Sequence, residues 1–145
     1  MKVAISACLL GCSCRYDGTD NLNETLLKKL SDCELIPFCP EDDVFGTPRP
    51  TMDLIQSDHL IHAISNASGE NLTPSIQRYA QKFFDTHPDI DLLIGKDRSP
   101  SCGVRTAKIY NLHKELISTK GEGIMVQEAQ RRGIPTFGSE EYSTL

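Results

Sequence analysis

Val3-Ala4-Ile5 opens the chain with a continuous apolar run containing β-branched residues, which predicts a short buried strand over Lys2 to Ala7. Gly11 and Gly18 punctuate the next stretch, so Leu9 to Thr19 is expected to be a loop. Leu22, Leu26, Leu27 and Leu30 fall at helical spacing and predict a helix over Asn21 to Leu30, capped by Asn23 or Thr19. Glu34 to Phe38 returns to a strand. Pro37 inside it cannot donate to a ladder, so the strand should be brief or near an edge. Cys39 to Pro50 is dense in proline and charge and is expected to be a loop.

The second half is less regular at first. Met52 to Ala67 has no clean period, and Asp58 to Ala63 fits either a strand or an irregular excursion. Thr73 as cap and Pro74 at the first helical position open a helix that runs to about Thr86. Asp91 to Gly95 is a third strand, with Leu92-Leu93-Ile94 fully apolar as central parallel strands are. Lys96 to Val104 is a loop, and Ala107 to Ile117 holds a hairpin or a loose extension. Gly121 to Arg132 reads as the last helix, with Ile124 and Ala129 inward, Val126 a further candidate and Gly133 as terminator. Ile134 to Phe137 is a final strand. This alternation predicts an α/β fold: one three-layer domain over residues 1–145 with a mostly parallel sheet and cysteine-bearing loops at its strand ends. No repeat, low-complexity tract or linker divides it.

Composition narrows the function classes. A chain of 145 residues can bury one core. The net charge of −5 and the lack of a basic run argue against a nucleic-acid backbone as the main partner. No apolar stretch is long enough to span a bilayer, and the run after Lys2 is too short for a signal-peptide core, so a cytoplasmic location is expected. Six cysteines then need a reason. Disulfides are disfavoured in that compartment, which turns attention to metal binding or catalysis. The alternative for each is a small buried hydrophobe, the reading assigned to Cys33, which follows Ser31-Asp32 with no turn signal.

Cys8, Cys39 and Cys102 each stand where a buried strand ends and a turn begins. Strand ends of an open α/β sheet converge on one edge, so these distant thiols can meet there. Three thiolates can hold a metal centre and leave one coordination position empty, which suits chemistry more than scaffolding. The run Cys8, Cys12, Cys14 matches neither a paired CxxC zinc pattern nor the compact ferredoxin spacing. Arg15, Arg49 and Arg98 offer cations beside such a centre, and Pro48 and Pro50 stiffen the segment around Arg49. Glu41, directly after Cys39-Pro40, is a candidate proton carrier; a helix cap or an arginine partner fits it as well. The Ser101 hydroxyl can touch substrate, move a proton or close a turn. Tyr16 and Asp17 are candidate substrate contacts, with a turn the alternative for Asp17-Gly18. His59, His62, His87 and His113 are scattered and receive no role. No GxGxxG follows the first strand and no Walker-type lysine is present; Gly121-Glu122-Gly123 reads as helix entry.

Ser-Ala-Cys-Leu-Leu-Gly (6–11), Cys-Arg-Tyr-Asp-Gly (14–18), Cys-Pro-Glu (39–41), Thr-Pro-Arg-Pro (47–50), Ser-Pro-Ser-Cys-Gly (99–103) and a late Gly-x-Gly helix occur in this order. In this series the chain resembles the thiouracil desulfurase (desulfidase) family, formerly a bacterial domain of unknown function, from Val3 to about Phe137. The resemblance implies a Rossmann-like domain holding a 4Fe-4S cluster through Cys8, Cys39 and Cys102. Its fourth iron would be open to the sulfur of a thiopyrimidine such as 2- or 4-thiouracil. Glu41 and Ser101 then become the catalytic candidates, and Ser6, Arg15, Tyr16 and Arg49 the substrate contacts. Cys14 occupies a position that is often cysteine in the family and is not counted as a ligand; Cys12 and Cys33 depart from the pattern, and Gln56 to Ser68 carries no motif. Two rivals remain: a non-enzymatic iron–sulfur or zinc protein with Cys12 or Cys14 as fourth ligand, and an enzyme that delivers sulfur to a tRNA base. Oligomeric state is left open between monomer and weak dimer.

Overall fold

A computed structural model describes residues 1–145. The strands are β1 (Lys2–Ser6), β2 (Glu34–Phe38), β3 (Met52–Ser57), β4 (Leu60–Ser65), β5 (Leu92–Gly95), β6 (Ala107–Tyr110), β7 (Leu116–Gly121) and β8 (Thr136–Gly138). The helices are α1 (Glu24–Lys29), α2 (Pro40–Phe45), α3 (Thr73–Thr86), α4 (Ile124–Arg131) and α5 (Ser139–Ser143), with a 3-10 turn at Ala7–Leu10. No helix is long and apolar enough to cross a membrane.

The strands form two sheets. The first runs in the order β2-β1-β5-β8 and is parallel throughout. Successive side chains of β1 serve opposite faces. Val3 and Ile5 pack with Leu26 of α1 and with Leu30 just after it, while Ala4 packs with Ala80 and Phe84 of α3 and Met125 and Ala129 of α4. Leu92 and Ile94 against Leu93 divide in the same way along β5. Both faces are therefore covered, which is why β1 and β5 are continuous apolar runs. Pro37 lies on the edge strand β2, opposite Ile5, as its missing N–H requires.

The α/β class and the parallel sheet with cysteine loops at its strand ends match the sequence reading. A second four-stranded sheet, β4-β3-β6-β7, was not foreseen. It is mixed: β3 pairs antiparallel with β4 and parallel with β6, and β6 pairs antiparallel with β7. It buries Leu54, Ala63, Ala107 and Ile109 against Ile76 and Ile124. The segment 52–67, without a clean period in the sequence, is thus an ordered hairpin. Its turn is made by Asp58 and His59, both at positive φ (52° and 67°), a conformation usually marked by glycine or asparagine. Ala107 to Ile117 realises the hairpin option and extends to Gly121. The region from Cys39 to Pro50 is also corrected, because half of it, Pro40–Phe45, is α2.

Thr73 is the first residue of α3 and does not cap it. The Thr73 hydroxyl accepts the Ala63 N–H at 2.8 Å, tying the helix to β4. Asn23 does cap α1, its side chain accepting the Leu26 N–H at 3.0 Å.

Candidate active site

Three chain segments meet beyond the carboxyl ends of β1, β2 and β5. The 3-10 turn after β1 carries Cys8, the junction between β2 and α2 carries Cys39, and the loop after β5 carries Cys102. They line one cavity of about 340 Å3, together with Cys14, Ser6, Arg15, Tyr16, Glu41, Arg49 and Ser101. The three candidate ligands, the catalytic candidates Glu41 and Ser101 and the substrate contacts Ser6, Arg15, Tyr16 and Arg49 therefore line one cavity. Arg98 also reaches it, although its guanidinium pairs with Glu140 at 2.8 Å on the surface. Cys12 is exposed, and Cys33 packs beneath α1 away from the cavity. Asp17 closes its own turn by accepting from Thr19 N (3.1 Å) and Oγ1 (2.6 Å) and does not line the cavity.

Tight backbone packing fixes the Cys102 loop. Ser99 Oγ accepts the amides of Ser101 (3.2 Å) and Cys102 (3.1 Å). Met125 N of α4 donates to Ser101 O at 2.9 Å, so the first turn of α4 finds its acceptors in this loop. Glycine permits the approach from both sides. A Cβ on Gly95 would lie 1.8 Å from Cys102 O, and one on Gly123 2.4 Å from Ser101 C.

Glu41 sits in the first turn of α2, where carboxylates complement the helix dipole. Ser101 Oγ donates to Glu41 Oε2 at 2.7 Å. Arg49 Nε stands 3.6 Å from Glu41 Oε1, so Glu41 is an arginine partner and a hydroxyl partner at once. The Arg49 side chain is only 6% exposed. Its Nη1 donates to Gly46 O (3.1 Å) and Thr47 Oγ1 (2.7 Å), and its Nη2 to Cys14 O (2.9 Å), while the buried Nε has no hydrogen-bond partner. Arg49 N also donates to Tyr16 O at 3.0 Å, which draws the Cys14–Tyr16 segment over the cavity.

The thiols are held in their neutral form. Burial pushes Cys102 up to about 12 and raises Cys8 and Cys39 above their ordinary value. Cys14 is raised by burial and then by the neighbouring Cys39. A bound metal centre reverses this, because its positive charge draws the protons off its ligands. Nowhere do three His, Cys, Asp or Glu side chains converge tightly enough for a single metal ion. The three thiols instead border a shared cavity from separate loops, a donor set that fits a polynuclear iron–sulfur core, whose thiolates stand farther apart than those on one ion.

Several residues of the site escaped the sequence. Lys96 lines the cavity, half-buried, its Nζ donating to Asp97 O at 2.9 Å. Burial and the nearby Arg98 lower its pKa. Asn21 donates from Nδ2 to Cys8 Sγ at 3.4 Å. Buried Asp97 accepts Ser139 Oγ and Glu140 N, both at 2.8 Å, and so anchors α5 to the end of β5. Lys96 and Asp97 could have been flagged as the charged pair directly after a buried strand; Asn21 carried no local signal.

The sequence model of the 2-thiouracil desulfurase family matches residues 3–141. A Bacillus subtilis (strain 168) relative, "Uncharacterized protein YbbK", is 27% identical over 151 residues, with 99% of each chain covered. Among solved structures, the 4Fe-4S-dependent thiouracil desulfidase TudS superposes with a TM-score of 0.71 at 29% identity, covering 96% of this chain and 91% of that one.

Proposed function

This chain belongs to the 2-thiouracil desulfurase family, and on that premise we propose that it replaces the sulfur of a thiolated uracil by oxygen. Water is the co-reactant, and uracil and hydrogen sulfide are the products, with no net oxidation or reduction. Cys8, Cys39 and Cys102 are the proposed ligands of a 4Fe-4S cluster. Bound there, it would supply an iron with a vacant coordination position, a Lewis acid suited to a thiocarbonyl sulfur.

The observation that carries this reading is the Ser101–Glu41 hydrogen bond of 2.7 Å, bordering the same cavity as the three thiols. The pair can take a proton from an attacking water and return one to the departing sulfur, with the Ser101 hydroxyl as the relay. Arg49, locked by its bonds to Gly46 O and Cys14 O, keeps Glu41 aimed inward. Tyr16 lines the cavity and offers an aromatic ring against which a pyrimidine can pack, with the Arg15 guanidinium 5.7 Å from the ring centroid. Ser6 lines the cavity, its hydroxyl accepting the Lys96 N–H at 3.0 Å. The cavity is at the small end of the range for ligand sites, about 300–1,000 Å3, which suits a single-ring compound.

Cys14 supports a competing reading, because it borders the cavity beside Cys39. As a fourth ligand it would close the site and leave a protein without desulfurase activity. Delivery of sulfur to tRNA has less support, since the net charge of −5 disfavours a nucleic-acid backbone as partner. The test is anaerobic reconstitution with iron and sulfide, followed by loss of thiouracil absorbance. Cys14→Ala should keep both the cluster and the activity. A fully loaded protein that desulfurates neither 2- nor 4-thiouracil would overturn the proposal.

A further inference from the structure

Hydrogen bonds reach all three proposed ligand sulfurs, from the Ser6 hydroxyl to Cys102, from the Asp42 N–H to Cys39 and from the Asn21 side chain to Cys8. Ser101 Oγ lies 3.3 Å from Cys102 Sγ, but its single proton is directed to Glu41 at 2.7 Å, so the neutral Cys102 thiol is the donor in that contact. Cys39 Sγ is likewise a donor, to Cys14 O at 3.7 Å. Both contacts lose their proton when the thiols ionise to bind metal. The Cys8 contact is of the opposite kind. Asn21 Nδ2 is the donor, Cys8 Sγ the acceptor, and the bond at 3.4 Å survives ionisation and strengthens on a thiolate.

The placement of Asn21 is over-determined. Its backbone N–H donates to Cys8 O at 2.9 Å, and Asn23 N donates to Leu9 O at 3.0 Å, so the chain returns alongside the 3-10 turn and fixes the carboxamide above the sulfur. Lys96, on the same wall of the cavity, adds a positive charge to this corner.

We propose that Asn21 is a positioning residue that tunes the metal centre through an N–H···S hydrogen bond to Cys8. The inference rests on the cluster reading above. Withdrawing electron density from one thiolate makes the irons more electron-poor, which raises the reduction potential and strengthens the Lewis acidity that a thiocarbonyl requires. The Asn21–Cys8 bond is built into the first loop and is independent of the Glu41–Ser101 pair.

The experiment compares wild type, Asn21→Leu and Asn21→Asp after anaerobic reconstitution, reading iron per chain and the reduction potential by EPR-monitored titration. The main-chain bond to Cys8 O is kept in every variant, so loading should remain at the wild-type level. The potential should move to a more negative value in Asn21→Leu. It should move further in Asn21→Asp, where a carboxylate faces the sulfur. A loaded Asn21→Leu protein at the wild-type potential would overturn this inference alone. A wild-type protein that takes up no cluster would overturn the cluster reading and this inference with it.

Discussion

Glu41 answers to two partners, and they constrain it differently. Ser101 is a neutral donor whose hydroxyl can pass a proton on. Arg49 is a fixed cation whose guanidinium is pinned by Gly46 O and Cys14 O and cannot follow the carboxylate if it moves. Both charged side chains are nearly buried, at 6% and 14% exposure, so each depends on the other for compensation. Glu41→Gln separates the structural from the chemical role. The amide keeps the shape and an acceptor oxygen for Ser101, but it cannot carry a proton. The rate of thiouracil loss should fall by about 10²–10⁴-fold, with iron per chain unchanged. Wild-type turnover in the loaded variant would remove Glu41 from the chemistry. The sequence placed Glu41 correctly beside Cys39 but could not decide between proton carrier and arginine partner. That choice depends on Arg49 and Ser101, which arrive from separate loops.

At the scale of elements, the site exists because strand ends and helix starts interlock. β5 ends on Gly95 directly beneath the Cys102 carbonyl, and α4 begins on Gly123 against the Ser101–Cys102 peptide. Gly95→Ala should force the cysteine loop off the strand. We expect it to destabilise the fold by roughly 1–3 kcal/mol and to abolish iron loading before unfolding is complete. Denaturant midpoints and iron per chain measure the two effects, and full loading in Gly95→Ala would show that the loop is free to shift. These contacts also explain which elements were legible. β1 and β5 are buried on both faces, so their sequences are continuous apolar runs. The hairpin of β3 and β4 mixes apolar and polar positions on both faces, with Asp53 and Ile55 on one and Leu54 and Gln56 on the other. Its turn uses Asp58 and His59, so neither periodicity nor turn chemistry announced it. α2 was readable, with Pro40 at the first helical position and Glu41, Asp42 and Asp43 in the first turn, but the prolines farther on obscured it. α5 has five residues, and its first turn is tied down by Asp97, a long-range partner that local pattern does not reveal.

For the whole molecule, metal binding and folding must be linked through protons. In the metal-free fold, Cys102 keeps its proton up to about 12, against an ordinary value of 9.0 for the exposed thiol, because burial penalises the thiolate. Cys8 and Cys39 are raised for the same reason. Above about pH 9 the unfolded chain sheds these protons while the native chain retains them. The unfolded state then binds fewer protons, so stability falls as pH rises. The contribution is fully present below the unfolded thiol value and is lost progressively as pH climbs toward the folded one. At pH 10, Cys102 alone removes on the order of 1 kcal/mol of stability. Loading the site changes the sign of the problem, because thiolates bound to metal are already deprotonated in the native state. The metal-free protein, kept reduced, should therefore show a lower denaturant midpoint at pH 10 than at pH 7.5. The loaded protein should lose less over the same interval, and its assembly should release protons. A midpoint for the metal-free protein that stays level from pH 7.5 to 10 would mean that the thiols are not held neutral by burial, and the argument for a site waiting to be ionised by metal would fail with it.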